Sequence, residues 1–151
     1  MEKDFLASLI KLFDRELTTL EKEISLYTTE ETIWTINGEI KNTAGNLCLH
    51  LCGNLQHFIG TVLGHTGYVR NRDHEFAARN IAREQLLREI QTTKEVVKTT
   101  LSKLDPAILQ QEYPLQVLGY TMTNSYFLVH LYGHLNYHLG QINYHRRLIT
   151  R

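Results

Sequence analysis

The sequence predicts an all-α protein built as a four-helix bundle, and three observations predict it. Apolar residues recur every three or four positions in long segments of the chain, the spacing that gives a helix one buried face. No internal repeat, low-complexity tract or domain linker divides those segments. Finally, 151 residues suit one domain with a single core, since the usual domain runs about 100–150 residues. Residues 1–151 therefore read as a single domain.

The first helix is expected over residues 4–27, where Phe5, Leu6, Leu9, Ile10, Phe13, Leu17, Leu20 and Ile24 form the stripe. The segment TTEETIWTINGEIKNT follows, with Asn37-Gly38 as a turn signal and Trp34 as a packing anchor. Asn42 or Thr43 can cap a second helix running to about Gly64. HTGYVRNRDHEFAAR is then polar, charged and without periodicity. A connection of about 15 residues is usually functional or a crossover, so the second and third helices are expected to run parallel. Asn80 can cap a third helix carrying Leu86, Leu87, Ile90, Val97, Leu101 and Leu104, which stops at Asp105-Pro106. Residues 107–120 read as irregular, with a short hairpin as the expectation. The fourth helix is expected over 122–148, with Phe127, Leu131, Leu135, Leu139 and Ile142 as its stripe. Four long amphipathic helices in this length make a bundle.

Composition removes several function classes. With 16 basic and 16 acidic residues the formal charge is zero, so no basic field exists to hold a nucleic-acid backbone. Nor does any apolar run approach the ~20 residues of a membrane span. The N-terminus mixes charges into its apolar residues, unlike a signal peptide. Cys48 and Cys52 are the only cysteines, too few for a disulfide scaffold and suited to a reducing compartment. A cytoplasmic domain without nucleic-acid or membrane partners is the expectation.

The fourth helix carries the chemistry. His130, His134 and His138 repeat every fourth residue, which places neighbouring Cβ atoms roughly 5–6 Å apart on one helix face. Two imidazoles held that way are half of a divalent-metal site. A catalytic zinc-type site needs three protein ligands and an open position. The second helix offers His50 and His57, which share a face with Asn46, Gly53 and Asn54. Cys48 and Cys52 lie about 160–200° from His50 on that helix, so they cannot join it on one ion and read as core cysteines. Glu-x-x-His pairs for a di-iron bundle are absent, as are H-E-x-x-H, G-x-S-x-G and phosphate-loop motifs. What survives is an all-histidine site completed by water. Imidazole suits zinc, iron, nickel and copper alike.

Two strings carry a resemblance: N-x-C-L-H-L-x-G-N from Asn46 to Asn54, and H-L-N-Y-H-L-G-Q-I from His134 to Ile142. With the loop string Arg70 to Phe76 and the Trp34…Gly38-Glu39-Ile40 segment, the whole chain resembles the DinB-like superfamily of small bundles, the bacillithiol-transferase-like fold. The resemblance implies up-down-down-up topology, a homodimer, and one divalent ion held by His50, His134 and His138, with zinc or nickel favoured. It assigns no ligand role to His130 or His57, which become candidate pocket residues beside Asn54. Gln141 reads first as orienting a neighbouring helix and alternatively as orienting a ligand, and Tyr137 and Tyr144 are candidates for lining the site. The implied activity is transfer of a low-molecular-weight thiol of the bacillithiol type to an electrophile, or a related metal-dependent hydrolysis. The alternative is a non-catalytic metal-binding stress-response or dimerisation bundle, which a fourth protein ligand such as His130 or His57 would favour. No catalytic residue is assigned.

Overall fold

In a computed structural model, which describes residues 1–150, the periodic segments become six α-helices, with no strand among the described residues. Helix α1 (Glu2–Ser25) buries Leu6, Leu9, Phe13, Leu17, Leu20 and Ile24, while Glu2 and Asp4 in its first turn and Lys22 in its last complement the helix dipole. Each leucine so buried contributes roughly 1.5–3 kcal/mol relative to exposure. A single turn, α2 (Glu30–Ile33), follows in the segment where the sequence predicts only a turn and a packing anchor. It delivers Trp34 to the core, 7% exposed. The turn at Asn37-Gly38 closes by Ile40 N donating to Asn37 O, with Gly38 at φ +58°.

Thr43 caps α3 (Ala44–Leu55): its hydroxyl accepts from Asn46 N at 3.1 Å. Nearly every side of α3 is buried. The helix does not run on uniformly toward Gly64. Over Gln56–Thr61 it widens into a π-helical stretch, with Val62 N bonding back five residues to His57 O. The long connection also holds a short helix, α4 (Arg72–Ala77), capped by the Asn71 side chain.

Helix α5 (Arg83–Lys103) starts later than expected. Asn80 is not its cap; Asn80 sits at φ +57° and Ala82 occupies the cap position. The reason is tertiary. Asn46 Nδ2 holds Glu75 O and Ala78 O, and Trp34 Nε1 holds Ile81 O, which pins the chain before it can coil. After α5 comes a 3₁₀ turn, Pro106–Gln110. The expected hairpin reduces to one antiparallel bridge, Glu112 with Thr123. Helix α6 (Asn124–Ile149) completes the bundle, with Thr123 as its cap.

Side-chain pairs fix the directions. Arg15 meets Tyr132 and Glu23 meets Arg146, so α1 and α6 are parallel. Glu21 meets Gln91 and Tyr27 O meets Arg83, so α1 and α5 are antiparallel. Gln56 meets Thr93 and Gly60 lies against Val96, so the second and third long helices are parallel. His50 meets His134 and Phe58 meets Phe127, which sets α3 against α6. This is the up-down-down-up bundle, with the 65–82 segment as its crossover.

Helix α6 is held at both ends. Near its start, Asn124 Nδ2 donates to Ile108 O (2.8 Å) and Gln111 O (3.1 Å). Near its end, Arg146 Nε and Asn143 Nδ2 donate to the two oxygens of Glu23, at 2.6 and 2.8 Å. His145 Nε2 donates to Thr35 O at 2.8 Å, which leaves Nδ1 to accept from the Tyr27 hydroxyl at 2.6 Å. No helix among the described residues is long and apolar enough to cross a membrane.

Candidate metal centre

Antiparallel packing of α3 on α6 brings His50, His134 and His138 together. One ring nitrogen from each lies within 4.8 Å of the other two, and His50 Nε2 is 3.1 Å from His134 Nε2. Two imidazole nitrogens bound to one tetrahedral zinc, each about 2.0–2.1 Å from it, stand roughly 3.3 Å apart. The observed spacing fits that arrangement. Among the described residues this is the one group of His, Cys, Asp or Glu close enough to share an ion.

Glu75, from α4, aims His50. Its Oε1 lies 3.0 Å from His50 Nδ1, so that nitrogen carries the proton and donates, leaving the Nε2 lone pair for the cluster. Arg70 braces the carboxylate, Nε to Oε2 at 2.9 Å and Nη2 to Oε1 at 2.8 Å, with Nη2 3.2 Å from His50 Nδ1. Burial pushes the Glu75 carboxyl up, but the His50 and Arg70 hydrogen bonds and the guanidinium charge outweigh it and hold it below its ordinary value. Carboxylate–histidine pairs of this kind orient metal ligands and raise their basicity. Gly53 makes the arrangement possible, because a Cβ there would overlap the Glu75 carboxylate.

On α6, His138 Nδ1 lies 2.7 Å from Gln141 Oε1 and donates to it, so its Nε2 is also free of a proton. The neutral form is favoured for both α6 histidines. Burial, then repulsion from His138, His50, His130 and Arg70, pulls the His134 value down to about 3. Burial likewise lowers His138, with the Gln141 hydrogen bond opposing it and His50 adding to it. Neutral imidazole is the ligating form. His134 Nδ1 is buried without a partner.

The remaining candidates fall around this cluster. His130 stacks on Phe127 (5.6 Å, 9°), lies 6.5 Å from His134, and lines the adjoining cavity without joining the three. Asn54 is buried and lines the same cavity. His57 is half-buried against the Phe58 ring, away from the cluster, and burial then the Arg70 charge lower its value. Tyr137 is exposed beside His138, whereas Tyr144 borders a different cavity near His145. Cys48 and Cys52 are free thiols in the core. The hydrogen bond with Cys52 and burial push the Cys48 thiol well up, and neither sulfur reaches the histidines. Sequence reasoning gave Glu75 and Arg70 no role. The signal available was a charged string inside a connection of functional length, with nothing to say which charge turned inward.

Such a bundle is the architecture of DinB-like proteins. Over residues 1–151 the chain belongs to the family described as "Protein of unknown function (DUF1572)", a DinB-like family. It is similar to the crystal structure of a DinB-like protein from Bacillus cereus ATCC 10987, with a TM-score of 0.70 and 19% identity over 88% of this chain and 85% of that one. At that identity the likeness concerns the fold. No curated protein matches.

Proposed function

We propose that the chain binds one divalent cation, zinc or nickel, through His50, His134 and His138, and uses it to transfer a low-molecular-weight thiol to an electrophile. The convergence of three imidazoles, one of them braced by Glu75, carries this reading. A divalent ion with an open position stabilises a thiolate over a thiol whose free pKa is about 8.5, or alternatively lowers the pKa of water for hydrolysis. The protein's own part is orientation. Glu75 and Gln141 accept hydrogen bonds from the Nδ1–H of His50 and His138 and so leave each Nε2 lone pair free to ligate. Phe58, Phe127 and Leu131 give the adjoining cavity apolar walls that exclude water. In the transfer, sulfur forms a bond to the electrophilic carbon, the leaving group departs with its bonding pair, and the thiol proton passes to solvent base. A homodimer and a cytoplasmic setting belong to the same proposal.

The test is the metal content of untagged protein purified without chelator, beside a His134→Ala, His138→Ala double variant. About one equivalent in the wild type and none in the variant supports the site, and thiol-transfer assays follow on the loaded protein. Negligible metal in both, after incubation with excess divalent ions, sinks the reading. A non-catalytic metal bundle is the second outcome: metal bound, but no turnover with any thiol and electrophile pair.

A further inference from the structure

The cavity beside the histidines holds more charge chemistry than gripping an ion requires. Its volume is about 380 Å³, at the small end for small-molecule sites. His50 and His134 form part of its wall, which joins it directly to the proposed metal position. Its charged walls are Arg70 and Arg72, and no carboxylate lines it among the described residues.

Each polar group has something left to offer. Arg70 commits Nε and Nη2 to Glu75, which fixes its guanidinium with the side chain 12% exposed. Its Nη1 makes no hydrogen bond among the described residues. Arg72 rests over the Phe76 ring at 5.4 Å and has no ion-pair partner among them either. Asn54 is 7% exposed, and its Oδ1 is buried without a partner. Buried carboxamides are nearly always hydrogen-bonded, so this acceptor oxygen in the cavity wall marks a place for an O–H or N–H of the ligand, apart from its carboxylate.

We infer that this cavity is a subsite for the carboxylate of a small acidic substrate, held by Arg72 and Arg70 Nη1 while the substrate's other end reaches the histidine cluster. The inference rests on reading that cluster as a metal site. Guanidinium recognises planar carboxylate through paired hydrogen bonds. Glu75 already neutralises Arg70, so the wall offers about one net positive charge, which matches a carboxylate rather than a doubly charged phosphate. Phe58, Phe127 and Leu131 face the ligand's carbon body.

Cobalt-loaded protein tests this, because sulfur ligation to cobalt produces a charge-transfer absorption. It is titrated with 3-mercaptopropionate and with 3-mercaptopropan-1-ol, equal in length and different in charge. Both should give the absorption, the acid with a dissociation constant about tenfold lower. Arg72→Gln, at an exposed position, should erase that difference and leave the alcohol's constant unchanged. Equal constants in the wild type overturn the subsite while leaving the thiol reading intact. A preference for the acid that survives Arg72→Gln reflects chelation by its oxygen and also overturns the subsite. Should neither thiol give the absorption, the thiol reading fails, and calorimetry with succinate and its diamide decides the subsite alone. Succinate binding that Arg72→Gln weakens about tenfold sustains it; no heat from succinate overturns it.

Discussion

Glu75 Oε1 stands 3.0 Å from His50 Nδ1, and this single contact ties a six-residue helix in the crossover to the proposed ligand on α3. The carboxylate fixes which nitrogen bears the proton, and Arg70 fixes the carboxylate. A residue 25 positions away in sequence therefore sets the direction of the His50 lone pair.

Glu75→Gln should weaken zinc affinity by about 10- to 100-fold, the usual effect of removing an orienting partner. Competition against a chromophoric chelator measures it, and unchanged helical circular dichroism separates it from unfolding. An affinity equal to wild type would show that His50 is aimed by something else.

Gly53→Ala should disturb the same contact from the opposite side. The new methyl occupies the space of the Glu75 carboxylate, and overpacking of this kind costs typically 1–3 kcal/mol. Urea unfolding of metal-free protein should show that loss, and zinc affinity should fall with it. A neutral result would mean the crossover moves away freely.

The metal-free protein should lose stability in acid in two windows. His134 has a folded-state value near 3 against an ordinary 6.5. Below pH 6.5 the unfolded chain therefore takes up a proton that the folded chain refuses, and stability falls as pH drops from 6.5 toward 3. For one group the slope reaches at most about 1.4 kcal/mol per pH unit. Glu23 acts lower. Burial raises it, but Arg146 and Asn143 hold it below 4.5 on balance, so its contribution is present above 4.5 and is lost beneath. Urea midpoints from pH 7.5 to 3.5 should show both, and His134→Leu should shrink the upper window, to which His138 and His57, also lowered, still contribute, and leave the lower one in place.

Zinc should raise the unfolding midpoint of the wild type and leave the His134→Ala, His138→Ala variant unmoved. Binding to the folded state stabilises it by about 2.7 kcal/mol at a hundredfold excess over the dissociation constant. Equal shifts in both proteins would place the ion elsewhere.

Much of this was legible from spacing. Four long stripes gave the four long helices, because each buries one face against neighbours and periodicity records that. The four-residue interval put His134 and His138 on one face of α6, and the length of the second connection anticipated the parallel pair. Glu75 was hidden for a physical reason. A helix as short as α4 has too few turns for a periodic signal, and its inward turn depends on the gap that Gly53 leaves. Asn80 misled because an asparagine before an apolar stripe is a good cap locally, whereas Asn46 and Trp34 hold its surroundings from other elements. The widening at Gln56–Thr61 likewise leaves no mark in composition.

The double anchoring of α6 has a mechanical consequence. A helix clamped through Asn124 at one end and through Asn143, His145 and Arg146 at the other behaves as a beam fixed at both supports. Sliding it by a single residue, about 1.5 Å, would break both supports together. The axial position of His134 and His138 is thus set far from the histidines themselves. An ion held by the three histidines would therefore be accommodated by rotation of their rings and by α3, since α6 itself has no free axial travel.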